Sequence, residues 1–281
     1  MRRFSADYLE ATRVGLWADR TALAPLSLSD RERVVDAGCG TGAFTRVLRE
    51  ETPPDTVVVG VDADPALLTH ARANENSAGD ESGTDPRAPI PAVAGDATRL
   101  PLRTGAADLV TAQALLVNLP DPAAAVWELA RVSSALVATV EPDNASVGVD
   151  STVEGEATLD RRARAAYRDG ADTDLAPGDR VTALFEGAGL EITATRRHHH
   201  VKRVEPPYDE RAFRAARRKA SGAALDEMGA TLRRSLGGEA YTDLRSAWRE
   251  IGRATVEGMS KGTYRRVEVV PFDVTVGRAR G

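Results

Sequence analysis

The sequence predicts an α/β protein organised around a doubly wound, mostly parallel β-sheet. Over the first 143 residues, short apolar runs alternate with segments of helical periodicity. This alternation is typical of β–α–β units, whose helices cover both faces of a parallel sheet. The run "TVVVGVD" at 56–62 is apolar without alternation, as expected for a strand that is buried on both faces.

Each element of this first part has its own sequence signal. Residues 4–20 place apolar side chains along one side of a helix. Pro65 begins the helix after the second strand, where its missing N–H costs nothing. Residues 75–91 are polar and rich in Gly, Ser and Pro, which predicts a loop. The remaining predicted elements are strand 33–37, helix 41–50, strand 56–62, strand 92–97, strand 107–113, helix 123–131 and strand 134–143.

The regular alternation ends at Asn144. The sequence predicts an Arg-rich helix over 153–169, a helix over 179–187 with Asp179 as its N-cap, and a long strand over 190–204. Two or three helices over 208–258 and a final strand over 265–278 follow. We therefore expect one domain with the following parts: an N-terminal helical segment 1–30, a ligand-binding core 31–143, helical insertions 144–178 and 204–264 that cap one end of the sheet, and the rest of the sheet in 179–203 and 265–281.

The composition is that of an ordinary globular protein. The chain has 281 residues, 42% hydrophobic and 28% charged, with a formal net charge of −5. No apolar run reaches the length of about 18 residues that a membrane span needs, and the N-terminus lacks the apolar stretch of a secretion signal. The single cysteine, Cys39, excludes an internal disulfide or a multi-cysteine metal site. These features predict a cytoplasmic enzyme that contacts no membrane and has no metal site.

A glycine-rich turn follows the first strand. The string Gly38-Cys39-Gly40-Thr41-Gly42-Ala43 fits the dinucleotide-binding fingerprint, although its third Gly comes one residue early. Glycines allow close approach of the backbone to a ligand, and N–H groups at a helix N-terminus suit a phosphate or a carboxylate equally well. The turn alone therefore leaves the ligand undecided.

Three aspartates, each at the end of a predicted strand, narrow the choice. Asp36 precedes the turn, where a carboxylate would repel a pyrophosphate but attract the ammonium of an amino-acid tail. Asp62 follows Gly42 by twenty residues, the spacing of a carboxylate that accepts from ribose hydroxyls. Asp96 can accept from the exocyclic amine of adenine. Together they indicate a cationic ligand that contains ribose and adenine.

Four segments in the same order resemble the successive motifs of class I S-adenosylmethionine-dependent methyltransferases. They are "VVDAGCGTGAF", "VVVGVDADP", "AGDATRLPL" and "ADLVTAQALLVNLPDPAAAVWELARV". The resemblance covers residues 33–142 and is closest to the branch that includes the quinone-biosynthesis methyltransferases. It implies a Rossmann-like sheet of seven strands, the last of them antiparallel. It also implies S-adenosyl-L-methionine as cofactor, S-adenosyl-L-homocysteine as product and a small molecule as methyl acceptor.

The resemblance also implies a set of cofactor-binding residues. The turn would line the methionine end, Asp62 the ribose, Asp96 the adenine, and Gln113 would lie near the methyl group. The full set is Asp36, Gly38, Cys39, Gly40, Gly42, Asp62, Ala63, Asp96, Ala97 and Gln113. Tyr8 and Trp17 of the N-terminal helix are candidates for closing the pocket.

The residues that contact the methyl acceptor are less well indicated. Val117-Asn118 stands where the resembled family often has a His pair, so the identity of a catalytic base is open. Asn118, Glu141 and His199 are the candidates. In "RRHHHVKR", alternation along a strand places His198 and His200 on one face and His199 on the other.

The basic segment leaves alternatives open. Residues 196–219 contain nine Lys or Arg and three Asp or Glu, which favours an acceptor that carries carboxylate or phosphate. An RNA substrate is the alternative, although aromatic residues are sparse in this segment and the whole chain is acidic. A module that binds S-adenosylmethionine without turnover is a second alternative, and an NAD-dependent oxidoreductase a third.

Overall fold

A computed structural model describes residues 5–81 and 91–279. By its internal contacts the chain forms two compact units. The first contains Met1–Pro142, Pro177–His198 and Phe272–Gly281, and the second contains Asp143–Ala176 and His199–Pro271. None of the helices in the described ranges combines the length and the hydrophobicity that a membrane span requires.

The first unit is built on a mostly parallel sheet. Its strands are β1 (Arg33–Ala37), β2 (Val57–Asp62), β3 (Ala92–Ala94), β4 (Ala107–Gln113) and β5 (Ser133–Pro142), which lie in the order β3-β2-β1-β4-β5. All four neighbouring pairs are parallel. The C-terminal half of β8 (Arg266–Ala279) then pairs antiparallel with β5, from Leu136↔Arg278 to Pro142↔Phe272. The order reverses between β1 and β4, where such sheets bind their ligands.

Helices pack on this sheet through its apolar strands. They are α2 (Ala43–Glu51), α3 (Pro65–Glu81), α4 (Pro122–Val132) and α6 (Arg180–Gly187), while the short helix α1 (Ala6–Arg13) belongs to the same unit. Val110 and Val137 of the central strands are fully buried with Phe185 of α6 in one hydrophobic cluster. Asp121 caps α4 by accepting the N–H of Ala124, which satisfies one of the free donors of its first turn.

The second unit contains mainly helices. These are α5 (Glu156–Asp169), α7 (Glu210–Ser221), α8 (Ala223–Asp226), α9 (Gly229–Leu236) and α10 (Gly238–Ser260). A short strand β6 (Gly148–Ser151) pairs antiparallel with the N-terminal half of β8. The long strand β7 (Leu190–Val204) pairs with β8 and runs from the first unit into the second. Helix α10 packs closely on α7. This is possible because Gly252 has no side chain, since a Cβ atom there would lie 2.2 Å from the backbone nitrogen of Ala220.

The predicted fold class is confirmed, with differences in detail. The described sheet has eight strands rather than seven, because β6 is a short polar segment with no strand signal. Residues 208–258 form four helices, not two or three, and residues 75–81 belong to α3 rather than to a loop. The rest of that predicted loop, residues 82–90, lies outside the described residues.

Two helix ends also differ from the prediction. The N-terminal helix ends at Arg13 and not at residue 20, and Gly15 then turns the chain with φ of 72°. Asp179 is the N-cap residue of α6, as predicted, but its side chain makes no capping hydrogen bond. The placement of the two insertions as a cap over the sheet stays a prediction.

Candidate functional site

Parallel pairing brings the predicted ligand residues to one edge of the sheet. Asp36 on β1 is in register with Gly60 on β2 and with Thr111 on β4. Asp62, the last residue of β2, is in register with Ala94 at the end of β3, two residues before Asp96. The three aspartates therefore lie at the carboxyl ends of three adjacent strands, as the sequence predicts.

The glycine turn after β1 is held by hydrogen bonds within the protein. The N–H groups of Gly38 and Cys39 donate to the carbonyl of Val61 at 2.7 and 3.0 Å. Gly40 donates to Oδ2 of Asp62 at 2.8 Å, and Gly42 to the carbonyl of Cys39 at 2.9 Å. These four amides thus fix the shape of the turn, and a ligand would rely on other groups for its hydrogen bonds.

Two of these glycines permit close packing that no other residue would. Gly38 and Gly40 have φ of +73° and +56°, where L side chains are strained. A Cβ atom at Gly38 would lie 2.8 Å from Cδ1 of Leu115, and one at Gly40 would lie 3.0 Å from Cδ1 of Leu9. The turn therefore packs between the segment after β4 and helix α1.

Asp62 links the turn to the second strand. Its Oδ1 accepts the N–H of Asp64 at 2.8 Å, while Oδ2 accepts that of Gly40. The side chain is half-buried, and this burial raises its pKa. Each carboxylate oxygen has two lone pairs, so Asp62 can still accept hydroxyl groups from a ligand. Ala63, beside it, is exposed.

Asp36 is sealed inside the protein. It is 1% exposed, and it accepts the hydroxyl of Thr45 at 2.6 Å and that of Thr111 at 3.5 Å. Burial raises the pKa of Asp36 to about 7; the hydrogen bond from Thr45 opposes this rise, and the neighbouring charge of Asp62 adds to it. The structure thus gives Asp36 a role in fixing α2 to the sheet, and its direct contact with a ligand ammonium stays a prediction.

The predicted adenine contacts differ in accessibility. Asp96 is exposed, and its Oδ1 accepts the N–H and the hydroxyl of Thr98, both at 2.8 Å. These hydrogen bonds favour the ionised form and lower the pKa of Asp96. Ala97 is buried in the main hydrophobic cluster. Asp96 can therefore accept from an amine, whereas Ala97 shapes the wall beside it.

Gln113, the last residue of β4, is buried with one half of its amide unused. Its Oε1 accepts the indole N–H of Trp17 at 3.5 Å. Its Nε2 has no hydrogen-bond partner among the described residues, and neither has Oγ1 of Thr41 in the glycine turn. Most buried polar groups are hydrogen-bonded, so these two atoms indicate a ligand site.

Aromatic rings cover this part of the site. Trp17 stacks on Phe44 of α2 and on His198 of β7, with ring centroids 5.2 and 5.5 Å apart. Nε2 of His198 lies 2.9 Å from the carbonyl of Leu16, which requires that this nitrogen carries a proton and donates it. All three rings are buried, so they shield the Gln113 amide from water.

The candidate acceptor residues have distinct environments. Glu141 is 2% exposed, and its carboxylate accepts the N–H groups of Leu115, Leu116 and Val117 at 3.0, 2.9 and 3.2 Å. Burial raises the pKa of Glu141 to about 7, against the effect of these three hydrogen bonds. The carboxylate therefore shapes the turn after β4, and its contact with an acceptor stays a prediction.

Asn118 and His199 likewise stay predictions as acceptor residues. Asn118 is half-buried at the end of the turn after β4 and donates from Nδ2 to the carbonyl of Ala114 at 2.7 Å. His199 is exposed and belongs to the second unit. The predicted alternation is confirmed, because His198 and His200 are buried while His199 is not.

The structure adds residues that the sequence analysis did not single out. They are Thr45 and Phe44 of α2 and Arg13 of α1. Nothing in the sequence distinguishes Arg13 from the many other arginines of the chain. The charges of Asp36 and Glu141 both act on the Arg13 guanidinium. No motif pointed to these residues, since their partners lie far away in the sequence.

The thiol and the histidines show no feature of a metal site. Burial raises the pKa of the Cys39 thiol, and its sulfur would lie 2.9 Å from a Cβ atom at Gly60, so Cys39 is a packed residue. Within residues 5–81 and 91–279, no group of three His, Cys, Asp or Glu side chains is arranged to hold a metal ion.

Comparison with known proteins relates part of this chain to methyltransferases. Residues 35–135 match the family model of the methyltransferase domain. A curated relative, the demethylmenaquinone methyltransferase of Lactiplantibacillus plantarum, is 31% identical over 118 residues, which cover 41% of this chain and 46% of the relative. The chain thus matches less than half the length of that protein.

Solved structures show the same fold. A candidate methyltransferase of Bacillus halodurans C-125 has a TM-score of 0.55 at 16% identity, covering 93% of this chain and all of the other. A geranyl diphosphate methyltransferase in complex with S-adenosylmethionine has a TM-score of 0.50 at 12% identity, covering 96% and 87%. A candidate methyltransferase of Haloferax volcanii, in complex with the activator Trm112, has a TM-score of 0.50 at 17% identity and covers both chains completely.

Proposed function

We propose that this protein is an S-adenosylmethionine-dependent methyltransferase that acts on a small organic acceptor. The observation that carries the proposal is the turn between β1 and α2, where Gly40 donates to Asp62 at the carboxyl edge of the sheet. This turn lies within the segment that matches the methyltransferase domain. The fold and the family match support the reaction type, and the acceptor is part of the proposal.

The residues at this edge fit the parts of such a cofactor. Asp62 has lone pairs for two ribose hydroxyls, and the exposed Asp96 suits the adenine amine. Nε2 of Gln113 and Oγ1 of Thr41, which have no partner among the described residues, would form hydrogen bonds with the methionine part of the cofactor. An acidic edge also suits a ligand that carries a sulfonium and an ammonium, whereas it would repel a pyrophosphate.

The main task of the protein in this reaction is to hold the acceptor in line with the methyl group. S-adenosylmethionine, when bound, supplies an electrophilic methyl group, which the acceptor takes while the sulfur keeps the electron pair of the broken bond. Holding an acceptor in line can contribute about 7–11 kcal/mol to lowering a barrier. In this chain the rings of Trp17, Phe44 and His198 exclude water from one side of the site, and Glu141 sets the turn that carries Asn118.

A general base matters only for an acceptor that must lose a proton. Such a base is worth roughly 10²–10⁴-fold in rate. We propose Asn118 as an acceptor contact because it lies on the turn directly after β4. His199 is the proposed proton acceptor for substrates that need one.

The acceptor is proposed to be small and anionic. The basic segment 196–219 favours carboxylate or phosphate groups on it. The relative from L. plantarum is named for demethylmenaquinone, a small molecule, which supports a small acceptor.

Transfer of a labelled methyl group tests the proposal. The purified protein is incubated with tritiated S-adenosylmethionine and, separately, a bacterial small-molecule extract, demethylmenaquinone or total RNA. We expect label in the small-molecule fraction, and an Asp62→Ala variant should lose it. Label confined to RNA would contradict the proposed acceptor, and absence of transfer to every fraction would favour a binding module without turnover.

A further inference from the structure

In the second unit, helix α5 faces strand β8 with charged side chains, where a helix normally turns apolar side chains to a sheet. Glu156, Asp160 and Arg164 recur at every fourth position of α5, so they share one face of the helix. On β8, Arg266 and Glu268 are two residues apart and share one face of the strand. These five side chains form ion pairs with one another, and all except Arg164 are at most 15% exposed.

This charge cluster contains more cations than carboxylates. Lys202 of β7 lies 3.6 Å from Glu268, and Lys219 of α7 pairs with Glu156. Among the described residues, the cluster therefore has four cations and three carboxylates. Buried ion pairs are often no more stabilising than apolar residues of similar volume, and a buried charge without a partner is costly. The stability of the fold thus does not account for the additional positive charge.

The additional charge lies on Arg164 and Lys202. The distance of 3.6 Å from Nζ of Lys202 to Glu268 exceeds that of a hydrogen bond. Nη1 of Arg164 makes no hydrogen bond within residues 5–81 and 91–279, since this side chain donates from Nε and Nη2. The two side chains are 32% and 33% exposed, so these donors can be reached by a small ligand. Burial lowers the pKa of Lys202; the charge of Glu268 opposes this effect, and that of Arg164 adds to it.

Glu268 holds the two cations beside each other. Its Oε2 accepts from Nη2 of Arg164 at 3.1 Å and lies 2.7 Å from Nη1 of Arg266. Burial alone would raise the pKa of Glu268, but the charges of Arg164, Arg266 and Lys202 lower it to about 2. The carboxylate is therefore ionised at neutral pH, and it fixes Arg164 and Lys202 on the same side of the cluster.

We propose that Nζ of Lys202 and Nη1 of Arg164 form a binding site for an oxyanion of a small ligand, a carboxylate or a phosphate ester. The inference goes beyond the proposed function, because it concerns the second unit by itself and does not depend on methyl transfer. Hydrogen bonds from Lys or Arg to carboxylate and phosphate oxygens are strengthened by the charges of both partners. One bound carboxylate would also give the cluster equal numbers of positive and negative charges.

The lysines of the chain provide an internal control for a test. The sequence has three, Lys202, Lys219 and Lys261, and Lys261 is an exposed residue that pairs with Glu257. The purified full chain is treated with a limiting amount of an amine-reactive ester, and mass spectrometry measures the rate of acylation at each lysine. Acetate or inorganic phosphate replaces chloride at constant ionic strength. An anion bound to Lys202 covers its amine and keeps it protonated, so it slows acylation there.

We expect one of the probes to give half-maximal protection of Lys202 at about 1–10 mM, and a rate at least about fivefold lower at about 50 mM. The rate at Lys261 should be unchanged. The probe that protects at the lower concentration identifies the bound group as a carboxylate or a phosphate. In Arg164→Met the protecting concentration should rise at least about tenfold, whereas Arg161→Met, which removes an exposed charge from the same helix, should preserve it.

Two results would overturn the oxyanion site. The first is that neither probe protects Lys202 more than Lys261, and the second is that Arg164→Met leaves the protection unchanged. The comparison of lysines within the unaltered protein needs no substitution, so it remains decisive if Arg164→Met does not fold. Both results would leave the proposed methyl transfer standing, because the test of that function follows label into the acceptor.

Discussion

Glu141 gives the most quantitative test of the geometry around the site. Its pKa rises from 4.5 in the unfolded chain to about 7 in the folded protein, because the carboxylate is fully buried. Between these two pH values the folded state holds a proton that the unfolded state has released. The stability contributed by this proton is therefore present at low pH and is lost as the pH rises towards 7.

The magnitude follows from the size of the shift. A difference of about 2.5 pKa units corresponds to about 3 kcal/mol, lost at a rate of at most about 1.4 kcal/mol per pH unit. The variant Glu141→Gln cannot titrate but keeps an oxygen for the N–H groups of Leu115 and Leu116. We expect the free energy of unfolding of the variant, relative to the unaltered protein, to rise by about 3 kcal/mol between pH 5 and pH 8.

Urea denaturation at constant ionic strength, repeated from pH 5 to pH 8, measures this difference. Glu32→Gln, which removes an exposed carboxylate of the same unit, controls for the loss of one negative charge. Burial also raises the pKa of Asp36 to about 7, and Asp36 is present in both proteins. The free energy of unfolding of Glu141→Gln should therefore still depend on pH, but less steeply than that of the unaltered protein. Parallel curves for Glu141→Gln and the unaltered protein would refute the buried environment of Glu141.

Three further substitutions test separate parts of the structure. Gly38→Ala places a Cβ atom at a φ of +73° and 2.8 Å from Leu115, so it should cost about 1–2 kcal/mol and weaken S-adenosylhomocysteine binding in a calorimeter; equal affinity would contradict the packing of the turn. His198→Ala should lower the melting temperature by removing the contacts with Leu16 and Trp17. His199→Ala, at an exposed site, should change the free energy of unfolding by less than about 0.5 kcal/mol. A larger loss of stability in His199→Ala than in His198→Ala would show that the faces of β7 are exchanged. Glu156→Gln, which removes the buried carboxylate that pairs with the half-buried Lys219, should cost about 3–5 kcal/mol in urea denaturation, and a cost below about 1 kcal/mol would show that this ion pair is exposed.

The parallel core could be predicted because its signals are local. Runs of β-branched residues mark the strands, and glycines mark the turn that needs positive φ. The aspartates were found for the same reason, since each lies within two residues of the end of a strand, and parallel pairing brings such positions together. Asp62 and Gly40 thus meet although they are 22 positions apart.

Features that depend on distant partners could not be predicted. Strand β6 forms because the N-terminal half of β8 offers it an edge to pair with, while its own residues are polar. Trp17 was identified as a covering residue, but its contact with Gln113, 96 positions away, depends on the final packing. Arg13 shows the same limit, because Asp36 and Glu141, whose charges act on it, lie on two strands far away in the sequence.

The histidine run shows an intermediate case. Alternation along β7 correctly separates His199 from its two neighbours, because this depends only on the strand geometry. Which face is buried depends on the N-terminal segment, whose Leu16 carbonyl accepts from His198. The sequence therefore predicts which histidines share a face of β7, but not which face is buried.

The central claim is that the acidic edge of the sheet binds an adenosyl ligand with a charged amino-acid end. Calorimetric titration with S-adenosylhomocysteine and with NAD tests this claim most directly, using the unaltered protein and Asp62→Ala. We expect S-adenosylhomocysteine to bind at one site per chain, Asp62→Ala to weaken this binding at least tenfold, and NAD not to bind. Tight binding of NAD, or S-adenosylhomocysteine binding that is indifferent to the loss of Asp62, would contradict this claim.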